Sequence, residues 1–250
     1  MKKGYTHLAI LLDRSGSMQS VKNDVIGGFN SFLDKNKKDA DGKCTVTLVQ
    51  FDNSPYKPLY MQDSTFYWGI NTGGNIVSSS PYIFESNVQD GYIVMSHFED
   101  IKNVTPLNEE TFKPRGGTAY LDALGKLINE TGGTLRYLPE SERPEKVVVV
   151  VYTDGYENAS IKYTKAMIGD LIKHQTEKYN WEFTFLGAGM DAVTEASSFG
   201  ISAANSLTYV NSAAGVNNAW GALSSNLVRF RNSEISNLAY TEEQRTAAVK

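Results

Sequence analysis

Two runs of five apolar residues, Leu8-Ala9-Ile10-Leu11-Leu12 and Val147-Val148-Val149-Val150-Val151, constrain this chain more than any other feature. Both are short and uninterrupted, and both end in turns that contain an aspartate. Apolarity without alternation means burial on both faces, which is the setting of a central strand in a parallel sheet covered by helices. Between and after the runs, apolar residues recur at helical spacing. Val21, Val25, Phe29, Phe32 and Leu33 form one such set, and Leu121, Leu124 and Ile128 a second. Ile168, Leu171, Ile172 and Tyr179 form a third, and Val216, Trp220, Leu223, Leu227 and Phe230 a fourth. Further strands are expected at Cys44–Phe51 and Trp181–Leu186, with a weaker one at Ser206–Val210. Strand and helix alternate, so the pattern predicts an α/β fold: a doubly wound, mostly parallel central sheet flanked by helices.

Two stretches depart from that rhythm. From about residue 54 to 91 the chain is rich in Tyr, Phe, Ser, Asn and Gly and has no helical period. A connection of that length rarely lacks structure of its own. A β-rich insertion is therefore expected there, in the hairpin between the second strand and an antiparallel third at about Tyr92–Phe98. Residues 232–250 are polar and read as a tail or a short helix, which Thr241 and Gln244 could cap. The whole, 1–250, reads as one domain.

Composition narrows the function. With 24 Lys and Arg against 28 Asp and Glu the net charge is −4, and the densest basic run is only Lys35-Asn36-Lys37-Lys38. Nothing here neutralises a phosphate backbone, so nucleic acid is not the expected partner. The single cysteine, Cys44, excludes an intrachain disulfide and a cysteine-rich zinc site, and His7, His97 and His174 match no paired ligand spacing. No apolar run approaches the roughly 20 residues that span a bilayer. The expectation is a soluble cytoplasmic protein with no membrane partner.

The residues that carry chemistry follow the two apolar runs. Asp13-Arg14-Ser15-Gly16-Ser17 closes the first, with oxygen side chains at alternate positions and Gly16 allowing a tight turn. Thr153-Asp154-Gly155 closes the second. In an open α/β sheet, loops at the carboxyl ends of strands converge on one crevice. Pro114-Arg115-Gly116-Gly117-Thr118 precedes a helix and brings Thr118 to the same rim. Two carboxylates (Asp13, Asp154) and three hydroxyls (Ser15, Ser17, Thr118), without nitrogen or sulfur, suit a hard divalent cation. Magnesium is the first choice, ahead of manganese or calcium.

These motifs, in this order on these elements, resemble the von Willebrand factor type A (vWA) domain and its metal-ion-dependent adhesion site, MIDAS. Lacking a signal, disulfides or anchors, the chain resembles the small stand-alone vWA proteins of bacteria and phages more than the secreted adhesive ones. The resemblance implies that Ser15 and Ser17 bind the ion directly and that Thr118 joins them when ligand is engaged. It implies that Asp13 and Asp154 act largely through bound water. The function it implies is metal-dependent protein binding, in which a Glu or Asp of a partner completes the coordination. An AAA+ ATPase or a larger assembly is the kind of partner such domains serve.

Other features read more plainly. Thr118 also suits an N-cap, Arg14 reads as solvent-facing, and Glu157 and Asn158 as rim residues. Met18 and His7 read as packing and structural residues. Gly187-Ala188-Gly189-Met190-Asp191-Ala192 matches a dinucleotide fingerprint, but it follows a late strand and lacks the acidic residue about 20 positions on, so it reads as a tight strand-to-helix turn. A metal-dependent hydrolase or phosphoryl-transfer enzyme is the rival reading, with Glu157 as its single candidate base. A third is a structural subunit that docks through the aromatic-rich insertion and carries a vestigial metal site.

Overall fold

The computed structural model describes residues 1–38, 42–53 and 91–250, and between them only the backbone of four short strands. β1 (Lys2–Asp13) leads through a 3-10 turn at Gly16–Val21 into α1 (Lys22–Lys38) and then β2 (Lys43–Phe51). Next come two antiparallel pairs, β3 (Tyr60–Gln62) with β4 (Thr65–Tyr67) and β5 (Asn71–Thr72) with β6 (Asn75–Ile76). The rest of the insertion expected at about 54–91 lies, up to residue 90, outside the described residues, its aromatic side chains included. The chain continues with β7 (Tyr92–Asp100), α2 (Tyr120–Tyr137), β8 (Pro144–Thr153) and α3 (Lys165–Tyr179). It ends with β9 (Glu182–Ala188), α4 (Ala192–Ser197), β10 (Ser206–Tyr209), α5 (Ala213–Arg231) and α6 (Glu242–Ala248).

Six strands form one sheet in the order β10-β9-β8-β1-β2-β7. All neighbours are parallel except β2 and β7. Each parallel neighbour requires a crossover, and the helices provide it. The two uninterrupted apolar runs lie side by side at the centre, Leu8 opposite Val148 and Leu11 opposite Val151. Their alternate residues enter different layers. Leu8, Ile10, Leu12, Val148 and Val150 pack with α1 and α5, while Ala9, Leu11, Val147, Val149 and Val151 pack with α2 and α3.

On the first face Trp220 of α5 is the pivot. It stacks on Tyr152 with ring centroids 4.5 Å apart and meets Phe29 of α1 edge-on at 5.6 Å. Gly28 of α1 lies directly beneath the indole. α6 closes the same face: Thr241 and Gln244 form a capping box at its start, and its Ala248 carbonyl accepts a hydrogen bond from Val210 N. The Gly187–Ala192 segment is the tight turn from β9 into α4, with Gly189 at φ +67° and the Asp191 side chain accepting from Thr194 N.

This topology positions a site. The strand order reverses between β1, which continues to β2 on one side, and β8, which continues to β9 on the other. The crevice outside the carboxyl ends of the two strands flanking that switch is where open α/β sheets bind ligands. Asp13 and Thr153 are the last residues of β1 and β8.

Candidate metal centre

Asp13 is fully buried at the end of β1, and both of its oxygens are held. Oδ1 accepts from Ser15 N at 2.6 Å, and Oδ2 accepts from Thr153 Oγ1 at 2.5 Å. The first contact curls the loop so that Ser15 and Ser17 face the same way, their Oγ atoms 3.0 Å apart. Ser17 Oγ then donates to Asp154 Oδ1 at 2.5 Å, joining the β1 loop to the β8 loop. A third loop completes the group. A Cβ built on Gly155 would stand 3.4 Å from Thr118 Oγ1 and 3.7 Å from Ser17 Oγ, so the missing side chain leaves the space between these hydroxyls open. The five residues singled out in the sequence thus come together. Ser17 is exposed, while Asp13, Ser15, Thr118 and Asp154 are buried behind it.

The loops are locked by backbone contacts. Gly16 N donates to Gly116 O at 2.9 Å and Arg115 N to Arg14 O at 2.8 Å, zipping the 14–16 turn to the 115–117 turn. Gly116 sits at φ +69°, in the left-handed region that glycine enters without strain. Thr118 is held by its main chain: its N–H donates to Asn158 Oδ1 at 2.9 Å and its carbonyl accepts from Asn158 N at 3.0 Å. Its hydroxyl is left to the crevice.

Electrostatics fit a cation. Burial pushes the Asp13 carboxyl up to about 7; hydrogen bonds from Thr153 and Ser15 oppose the rise and the neighbouring Asp154 adds to it. Asp154 is also raised, again chiefly by burial and against hydrogen bonds from Ser17 and Asn211. Two acids crowded in a desolvated crevice call for positive charge. The donor set around them is all oxygen, with no cluster of three His, Cys, Asp or Glu side chains among the described residues. That set suits a hard, oxygen-seeking ion.

No protein-family model matches this sequence, and no curated protein matches it. Solved structures do. The vWF domain of the type V pili tip protein Mfa5 from Porphyromonas gingivalis superposes with a TM-score of 0.54 at 9% identity, covering 91% of this chain and 96% of that one. The chain has the von Willebrand factor type A fold. The PilB minor pilin from Streptococcus sanguinis gives a TM-score of 0.52 at 10% identity, over 90% of this chain and 61% of that one. Proximal thread matrix protein 1 from the mussel byssus gives 0.50 at 15% identity over 88% of this chain, which spans about half (47%) of the mussel protein.

Within the type A fold, two expectations at the rim are corrected. Arg14 does not face solvent. Its side chain is 6% exposed and turns toward Asp52, just past the end of β2, with Nη2 and Oδ2 2.8 Å apart. Thr118 does not cap α2, whose N-cap is Ala119 without a side-chain bond. Glu157 provides that service: one oxygen accepts from Leu121 N and Ser160 Oγ, the other from Ala159 N and Ser160 N.

The sequence reading missed three contributors. Thr153 holds Asp13, Asn211 Nδ2 reaches Asp154 Oδ2 at 3.3 Å, and Asp52 gathers Arg14 and Arg115. Asn211 was within reach of the same rule that finds Asp13, because it follows β10 at the carboxyl edge of the sheet.

Proposed function

We propose that this type A domain binds a divalent cation, magnesium first among the candidates, and through it engages a glutamate or aspartate of another protein. Ser15, Ser17 and Thr118 would hold the ion directly, with Asp13 and Asp154 balancing its charge through water. Magnesium, when bound, supplies a hard electrophilic centre able to accept an incoming carboxylate. The observation that carries this reading is the meeting of three hydroxyls and two buried carboxylates from separate loops at the sheet's switch point.

The same geometry favours binding over turnover. Glu157, the candidate base of a hydrolytic or phosphoryl-transfer site, has both oxygens engaged by backbone and Ser160 donors. Thr153 and Ser15 likewise occupy both oxygens of Asp13. General-base work needs a carboxylate within reach of the proton it takes. The protein acts, in this reading, as an adhesion or adaptor module in the cytoplasm. A larger assembly, such as one built on an AAA+ ATPase, fits the partner class. Among the described residues no helix is long and apolar enough to cross a membrane.

Affinity purification from native lysate tests it. Proteins retained in millimolar magnesium, released by EDTA and absent from Asp154→Ala beads are the expected result. Retention indifferent to EDTA and to the substitution would refute metal-mediated binding. Magnesium-dependent phosphatase or nuclease turnover abolished by Asp154→Ala would establish the enzyme reading instead.

A further inference from the structure

Beside the metal centre lies a cationic pair that the reading above does not use. Arg14 sits inside the Asp13–Ser17 turn, and Arg115 immediately precedes the Gly116-Gly117-Thr118 turn. The two turns are joined by Arg115 N donating to Arg14 O at 2.8 Å. Both guanidinium groups converge on one atom, Asp52 Oδ2: Arg14 Nη2 at 2.8 Å and Arg115 Nε at 3.0 Å. Asp52 is fully buried, Arg14 is 6% exposed and Arg115 is 39% exposed.

Two features make this more than a structural ion pair. Two guanidinium charges here share one carboxylate oxygen. In addition, Arg14 Nε, Arg14 Nη2 and Arg115 Nη2 are shielded from solvent and make no hydrogen bond among the described residues. Arg14 Nη2 meets Asp52 Oδ2 as an ion pair. Arginine's planar fork is suited to a carboxylate. With two guanidinium groups on one carboxylate oxygen, Arg115, 39% exposed on the turn that carries Thr118, has positive charge to offer a further anion.

We propose that Arg14 and Arg115 form a second carboxylate subsite next to the metal centre, so that the partner is an acidic segment presenting two carboxylates, one to the ion and one to the arginine pair. Arg115, the exposed member, makes the contact; Arg14, buried behind it, keeps the local charge positive and helps fix the Asp52 carboxylate on which both rest. This inference depends on the metal-dependent reading and narrows its partner class.

The test uses capped octapeptides on a Gly/Ser background. One carries a single glutamate, and three carry a second glutamate one, two or three residues away. Binding is followed by NMR titration of the full chain in saturating magnesium. At least one two-glutamate peptide is expected to bind about tenfold more tightly than the single-glutamate peptide, the gain of one charge-assisted contact. Arg115→Gln should erase that ratio, and Arg115→Lys should restore part of it. Equal affinities for all four peptides in the wild type, or a preference that survives Arg115→Gln, would overturn the subsite alone. Failure of the wild type to bind magnesium, or to bind the single-glutamate peptide in its presence, would overturn the metal reading and this inference with it.

Discussion

His7 shows how much one residue can decide in a layered fold. It lies fully buried in β1, its Nδ1 2.9 Å from Thr45 Oγ1 and its ring stacked on Phe98 with centroids 3.8 Å apart. Its Nε2 has no hydrogen-bond partner among the described residues. Burial, with a smaller contribution from His97, pulls its pKa from 6.5 down to about 3. The folded state therefore holds His7 neutral where the unfolded chain would protonate it. The stability this represents is fully present above the unfolded value of about 6.5 and is lost as pH falls toward 3, at about 1.4 kcal/mol per pH unit. Urea unfolding in EDTA should lose about 3 kcal/mol to this residue between pH 7 and pH 4. His7→Gln should flatten that acid limb whatever its effect at neutral pH. Parallel pH profiles for the two proteins would show that His7 does not carry the proton. Arg14 teaches the complementary lesson. A charged residue in a polar turn reads as exposed, and only a carboxylate at the end of the neighbouring strand, 38 positions away, turns it inward.

At the scale of elements, the contact between α1 and α5 can be probed by two adjacent glycines with opposite expectations. A Cβ on Gly27 would meet nothing within 4 Å, so Gly27→Ala should stabilise the protein by up to about 1 kcal/mol through helix propensity. A Cβ on Gly28 would stand 2.5 Å from Trp220 Cδ1, and Trp220 is pinned against Tyr152 and Phe29. Gly28→Ala should therefore cost about 1–3 kcal/mol despite the same propensity gain. Denaturant midpoints for the two variants should move in opposite directions; stabilisation by both would mean the indole is free to shift. The contrast also marks what the sequence could reveal. Strands β1 and β8 were legible because burial on both faces leaves an unbroken apolar run, and the helices because one stripe must be apolar. The glycine beneath Trp220 was not, since helix crossings depend on which residues two distant stripes bring together. The same holds at the site. Asp13 and Asp154 follow from strand ends converging at one edge. The capping of α2 by Glu157 instead of Thr118 depends on a loop 36 residues further on, invisible to local spacing.

For the whole molecule, the proposed metal centre would set stability against binding. Two neighbouring carboxylates, one fully buried and one nearly so, oppose folding when nothing offsets their charge, since desolvation and like charge both disfavour the ionised pair. A bound divalent cation reverses the balance, because a ligand that binds only the folded state adds RT ln(1 + [L]/Kd), about 2.7 kcal/mol at 100 times Kd. For a domain of this size that corresponds to a rise in Tm of roughly 5–10 °C. Asp13→Asn separates the two regimes. It keeps an oxygen for Ser15 N and offers an amide toward Thr153, while removing one of the two charges. In EDTA the variant should melt above the wild type; in saturating magnesium the wild type should gain its increment and the variant little, so that the order of the two melting temperatures inverts. A structural aspartate would make the substitution destabilising in both buffers, and a site that takes no ion would leave the order the same in both. Inversion is what distinguishes residues retained for an ion from residues retained for the fold.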